Sequence, residues 1–252
     1  MKGVPIGNDD FKDLRDNDWY YVDKSGLIQE IVSNLNVKVF LFTRPRRFGK
    51  SLNMSMIDAF FNLKYEGNQW FSGLDVMSCP ECVEMMNHYP VTSLTLKGLS
   101  KDSYDAFLDD FRERMRRLGR QYEYLLDEES SISDVIGDLI RGNVSEASLK
   151  TSILNLSEAL SRYHGKKTII LIDEYDNVIN GSYGNEVNGR ILDFIRDLLG
   201  NALKSNDDLL FGVITGVMQI AKESIFPGLN NLYVNNIFDR QYDENSDLPL
   251  RR

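Results

Sequence analysis

The stretch Val37-Lys38-Val39-Phe40-Leu41-Phe42-Thr43-Arg44-Pro45-Arg46-Arg47-Phe48-Gly49-Lys50-Ser51 decides the fold. Residues 37–42 are a short apolar run rich in β-formers, which reads as a buried strand. Residues 43–49 read as a loop. A helix is expected from Lys50, with Leu52, Met56, Ile57 and Phe60 on one side. Strand, glycine-containing basic loop and helix start, in that order, are the setting in which a chain wraps a phosphate. Gly49 permits the tight turn, and the amides that open the helix point at the anion. Lys50 is expected to reach the β and γ phosphates of ATP as a point charge, and Ser51 to ligate Mg2+. Arg46, Arg47, Phe48, Gly49 and Leu52 complete the expected binding loop. In the pattern G-x-x-x-x-G-K-[ST] a glycine would stand at position 44, which here is Arg44. The first turn must therefore be made differently, and Pro45 is the residue suited to it. A bare G-K-S also fits a basic loop before an ordinary helix; the flanking strand and helix weigh for the phosphate.

The second deciding stretch is Thr168-Ile169-Ile170-Leu171-Ile172-Asp173-Glu174. An apolar strand that ends in two carboxylates sets negative charge at the edge where parallel sheets bind ligands. Asp173 is expected in the magnesium shell, through water, and Glu174 to orient or deprotonate the attacking water. Asp176 admits two readings: a return to the same region, or a solvated turn acid or helix cap. A further strand, residues 209–215, ends in Thr215-Gly216. Thr215 is a candidate contact to the γ-phosphate or the water, with a plain strand end as the other reading. Gln219, Lys222 and Asn231 are weaker candidates for the same cleft.

Around these motifs, strands and helices alternate. Short helices are expected near residues 9–15 and after Asp23 or Ser25, the latter turning Leu27, Ile28 and Ile31 inward. Residues 91–96 read as a strand. Ser103 can cap a helix with the stripe Tyr104, Phe107, Phe111, Met115, Leu118 and Tyr122. Ser145 opens another, with Leu149, Ile153, Leu156, Leu160 and Tyr163 inward and Gly165 as its stop. Residues 187–203 read as helix and 232–237 as a short last strand. Strands apolar on both faces, alternating with helices, predict an α/β fold with a mainly parallel central sheet of about five strands, covered on both sides. The expected division is a helical segment over 1–36, a nucleotide-binding core over 37–238, and a polar, frayed tail over 239–252.

With 252 residues, 42% apolar and 27% charged, the chain has the composition of an ordinary globular protein. No apolar run approaches the roughly 20 residues that span a bilayer, and the first residues lack a signal-peptide core, so a cytoplasmic location and no membrane partner are expected. The net charge of −9 argues against broad nucleic-acid binding, and leaves any such contact indirect. Cys79 and Cys82 admit a redox pair, but lie in a polar segment with no clear helix start behind them. They are read as two reduced surface thiols; two histidines, His88 and His164, do not complete a zinc set.

Several motifs together resemble the bacterial AAA-ATPase-like family. Pro5-Ile6-Gly7 with Asp10-Phe11 and Leu14-Arg15 is similar to its opening, and Tyr20-Tyr21-Val22-Asp23-Lys24-Ser25 to its Y-V-D-K-T element. Arg44 to Leu52 resembles its R-P-R-R-F-G-K-S-L loop, which also lacks the first glycine. Leu171-Ile172-Asp173-Glu174-Tyr175-Asp176 resembles its L-I-D-E-Y-D strand, and Thr215-Gly216 through Leu232 its T-G…K-E-S-I-F-x-G-L-N-N-L signature. The resemblance implies a P-loop NTPase, AAA+-like three-layer fold, ATP as ligand, and an N-terminal segment packed near the adenine. It implies a switch or motor that drives an attached or partner effector, and an oligomer that supplies missing lid residues or arginine fingers. Full-length members often continue into a PD-(D/E)XK nuclease-like domain. The residues after about 240 do not resemble that continuation, which implies a shortened chain, and nuclease activity is not carried over. A non-hydrolysing nucleotide sensor or interaction module is the alternative.

Overall fold

The computed structural model describes residues 2–4, 7–45, 48–142, 144–178, 186–217 and 232–235. Among these, helices α1 (Phe11–Asp16) and α2 (Gly26–Ser33) precede strand β1 (Val39–Thr43) and helix α3 (Lys50–Phe61). Helix α4 (Pro80–Met85) and strand β2 (Val91–Thr95) follow. Three helices come next, α5 (Tyr104–Arg120), α6 (Ser130–Arg141) and α7 (Glu146–His164). The chain then runs through β3 (Thr168–Asp173), α8 (Glu186–Leu203), β4 (Leu209–Gly216) and β5 (Leu232–Asn235).

The five strands form one sheet in the order β2-β3-β4-β1-β5, with every pairing parallel. Alternation along the strands builds two cores. Val39, Leu41, Ile170, Ile172 and Ile214 face one way, against the buried stripes of α5, α6, α7 and α8. Phe40, Phe42, Ile169, Leu171, Phe211 and Val213 face the other, against α1, α2, α3 and α4. The result is the three-layer arrangement that the doubly apolar strands require. No helix among the described residues is long and apolar enough to cross a membrane.

Local chemistry sets several helix starts. The Asp10 side chain accepts from the Lys12 amide and caps α1, Ser103 accepts from Ala106 at the start of α5, and Ser145 accepts from Ser148 at the start of α7. Each such cap satisfies an amide that the helix cannot. Ser25 stands at the N-cap of α2 without capping it; its hydroxyl accepts from the Val76 amide at 3.1 Å instead. Asp23 accepts from the amides of both Ser25, at 2.8 Å, and Asp75, at 2.8 Å. The Y-V-D-K segment is thereby tied to the turn before α4.

Several expectations are corrected. Helix α6 lies where none was expected, although Ile132, Val135, Ile136, Leu139 and Ile140 recur at helical spacing; Ile132, Ile136 and Leu139 are buried, and Val135 and Ile140 pack against the same core. Tyr122 lies beyond the end of α5, yet it is buried, and its hydroxyl donates to the Val91 carbonyl at 3.1 Å. Tyr163, expected inward, is 41% exposed and stacks edge-on with Tyr124 and His164. The cysteines are not two surface thiols. They are bonded to each other, Cys82 is fully buried, and Cys79 is the N-cap of α4, its sulfur accepting from the Cys82 amide at 3.3 Å. Pro80 at the first helical position supplies the helix start that was not recognised. The tail over 239–252 and residues 236–237 of the expected last strand lie outside the described residues.

Candidate functional site

The site forms at the carboxyl edge of the sheet. Strand β1 ends at Thr43, opposite Gly216 of β4, and the Arg44 amide extends that ladder by donating to the Gly216 carbonyl at 3.1 Å. The chain then turns back through Gly49, whose φ of 71° lies in the left-handed region that glycine tolerates at no steric cost. Helix α3 starts at once with Lys50. Its first-turn amides have no partner within the helix, which makes this end attractive to an anion. The Lys50 ammonium donates to the carbonyls of Arg44 at 2.9 Å and Pro45 at 2.8 Å, inside the curve of the loop.

Strand β3 delivers the acids. Because β4 lies between β1 and β3, Thr215 stands between the phosphate loop and Asp173. The Ser51 hydroxyl donates to Asp173 Oδ2 at 2.7 Å, and the Thr215 hydroxyl donates to Asp173 Oδ1. The Glu174 amide also donates to Asp173 Oδ1, at 3.0 Å. Three donors therefore fix this carboxylate. Glu174 itself has a φ of 54°, which turns the chain sharply at the strand end. Such strain in a residue other than glycine is held by its surroundings. Here the Tyr175 amide donates to the Thr215 carbonyl at 3.0 Å and the Asp176 carboxylate accepts from the Val217 amide at 2.9 Å. Asp176 is buried at 1% exposure and braces the two strand ends, so it is neither a solvated turn acid nor a helix cap. Gly216 fits closely between them: a Cβ there would come within 2.5 Å of the Tyr175 ring.

The Glu174 carboxylate is held on both oxygens. Lys97 Nζ lies 3.6 Å from Oε1, and the Asn177 side-chain Nδ2 donates to Oε2 at 3.3 Å. In front of these groups opens a cleft of about 960 Å3, lined among others by Gly49, Lys50, Ser51, Leu52, Lys97 and Glu174. Gly7, Asn8 and Asp9 of the N-terminal segment line the same cleft. Behind the loop a smaller apolar cavity of about 50 Å3 lies among Leu27, Phe42, Phe48, Met54 and Ile57. Lys24 reaches this side of the loop, 3.5 Å from where a Cβ of residue 49 would stand.

The residues expected from sequence thus converge in part. Lys50, Ser51, Asp173, Glu174 and Thr215 meet at one edge, with Gly49 and Leu52 beside them. Phe48 is 40% exposed and faces the smaller cavity. Arg46, Arg47, Gln219, Lys222 and Asn231 lie outside the described residues. Lys97, Lys101 and Asn177 were not singled out from sequence, yet they line the cleft. The signal for Lys97 and Lys101 was their position just after a parallel strand, where ligands bind.

The oxygen donors suit magnesium. A hydroxyl and a carboxylate 2.7 Å apart are hard oxygen donors of the kind Mg2+ takes. Among the described residues no cluster of three or more His, Cys, Asp or Glu side chains forms a ready-made metal cage.

A parallel sheet with a loop, a strand end and a neighbouring strand arranged in this way has the layout of a P-loop NTPase-like fold. The family model described as "Predicted AAA-ATPase" matches residues 5–226, and the chain belongs to this AAA-ATPase-like family. That description of the family implies nucleotide binding. A protein of Azotobacter chroococcum mcd 1 named "Uncharacterized protein in vnfD 5'region" is 29% identical to this chain over 238 residues. The match takes in 92% of this chain and 40% of that protein, so the chain spans less than half the length of its relative.

Proposed function

We propose that the cleft binds ATP with Mg2+ and hydrolyses it, and that the bound-nucleotide state acts as a switch for an attached or partner effector. The observation that carries this reading is the Ser51–Asp173 contact, which sets a hydroxyl at a helix N-terminus against a strand-end carboxylate. In this reading the amides of Gly49, Lys50 and Ser51 cradle the phosphates, and the Lys50 ammonium leaves the carbonyls of Arg44 and Pro45 for phosphate oxygens. Ser51 and Asp173 would hold Mg2+, which supplies charge neutralisation at the β and γ oxygens. Glu174 orients or deprotonates the attacking water, and Thr215 orients the reacting end of the nucleotide from the neighbouring strand. Gly7, Asn8, Asp9 and Leu52 offer a wall for the base. The effector reading draws on the greater length of the relative, and a nuclease-like domain, a second copy of the chain and indirect contact with nucleic acid belong to that reading.

Titration calorimetry with ATP and Mg2+ tests the proposal. Wild type is expected to bind, Lys50→Ala to lose binding by tenfold or more, a loss of about 1.4 kcal/mol or greater. Glu174→Gln is expected to bind ATP and to release no phosphate in a single-turnover assay. A folded wild-type chain that gives no heat with ATP overturns the reading; binding without turnover in wild type leaves the non-hydrolysing sensor in its place.

A further inference from the structure

We infer that Lys97 reads the terminal phosphate of the bound nucleotide, trading its ion pair with Glu174 for a contact to that phosphate and so releasing the carboxylate for the water. The inference rests on the reading of the cleft as a nucleoside triphosphate site.

Sheet register places Lys97 there. Thr95 of β2 is the partner of Asp173 in β3, and the Leu96 amide carries the ladder one step further by donating to the Asp173 carbonyl at 2.9 Å. Lys97 therefore stands beside Glu174, just past the end of the sheet. Its backbone is pinned. Arg114, on α5, donates from one nitrogen to the Thr95 carbonyl and from another to the Lys97 carbonyl at 3.0 Å. The Lys97 amide donates to Thr95 Oγ1 at 3.2 Å. A guanidinium that grips two carbonyls in a fork holds the turn more firmly than a single bond would.

Only the side chain is left free to choose a partner. The Lys97 side chain is 66% exposed, and that of Glu174 is 22% exposed. An ion pair open to solvent on one side is weak, so exchange costs little. A phosphate oxygen carries more charge than a carboxylate oxygen and accepts strong charge-assisted bonds. Lys97 and Glu174 line the same cleft as Lys50 and Ser51, so the terminal phosphate of a nucleotide seated on the loop is the competing anion. The Asn177 contact to the other carboxylate oxygen keeps Glu174 directed toward the cleft when Lys97 leaves. In this arrangement a diphosphate would leave the Lys97–Glu174 pair in place, and a triphosphate would not.

The test is the ratio of ATP to ADP affinity, measured with Mg2+ by calorimetry for wild type, Lys97→Gln and Lys97→Arg. Lys97→Gln is expected to weaken ATP about tenfold, the value of one charge-assisted bond to phosphate, while ADP binding changes by less than about twofold. Lys97→Arg is expected to restore most of the ratio. A purely structural role would weaken both nucleotides together, and unchanged thermal melting of the variant shows that the fold is kept. If wild type prefers ATP and Lys97→Gln keeps that preference, or loses both ligands alike, the inference fails while the nucleotide reading stands. If wild type binds neither nucleotide, both fail.

Discussion

The Ser51 hydroxyl donates to the Asp173 carboxylate at 2.7 Å, across 122 residues of chain. Neither residue is special alone. Their meeting makes a pair of oxygen ligands at the mouth of a helix, and Thr215 closes it from the strand between them.

The first prediction concerns that pair. In wild type, Mg2+ is expected to strengthen ATP binding. Ser51→Ala and Asp173→Asn are expected to lose about tenfold or more of that Mg2+ enhancement. In EDTA the Ser51→Ala variant and wild type should bind alike. Calorimetry with and without metal reads the difference, and an undiminished Mg2+ effect in both variants would rule the pair out as the metal's ligands.

Glycine substitutions are expected to act with opposite signs at two places. A Cβ on Gly216 would meet the Tyr175 ring at 2.5 Å and the Asp176 carboxylate at 3.0 Å. Gly216→Ala is expected to cost roughly 1–3 kcal/mol through overpacking and to weaken ATP binding, since the brace behind Glu174 is disturbed. Gly200, inside α8, has open space around its Cβ position. Gly200→Ala is expected to stabilise by about 0.5–1 kcal/mol, the helix propensity gain. Urea unfolding of the two variants checks both signs.

A pH effect follows from α2. Burial raises the Glu30 carboxyl to about 7. The folded state then holds this proton more tightly than the unfolded state, where the carboxyl titrates at about 4.3. Its contribution is full below the unfolded value and is lost as pH rises through about 7. Glu30→Gln is expected to raise the melting temperature at pH 8 and leave it nearly unchanged at pH 4. Equal shifts at both pH values would show that burial does not act on this carboxyl.

The Cys79–Cys82 bond closes a ring with a sequence separation of only three. So small a ring removes little chain entropy, and its reduction is expected to cost no more than ~2 kcal/mol. Thiol titration of the unfolded, unreduced chain is expected to find no free thiol. Two titrating thiols would contradict the bond.

Much of the fold was legible because local chemistry repeats in short windows. Residues 37–42 and 168–172 read as buried strands since every position from Val39 and from Ile169 onward is apolar, and the structure uses both faces of those positions. Ser103 and Ser145 marked helix starts because a hydroxyl before a helix satisfies a free amide. Helix α6 carries the same kind of signal in Ile132, Val135, Ile136, Leu139 and Ile140 and was passed over; what no local window gives is that this face packs on α5 and α7. The cysteine pair was misread because the cue for α4 is a single proline, and the burial of Cys82 depends on the apolar cluster it joins, with α2 packed against α4.

Sequence alone determined the chemistry available: an apolar strand before a glycine-turned basic loop, a second ending in two carboxylates, and the helix starts and stops between them. Tertiary structure decided which of these groups meet. The order β2-β3-β4-β1-β5 inserts Thr215 between loop and acid, and the pairing of Thr95 with Asp173 brings Lys97 to Glu174. Strand order and register are long-range choices, set by which faces bury which helices, and no local run of residues encodes them.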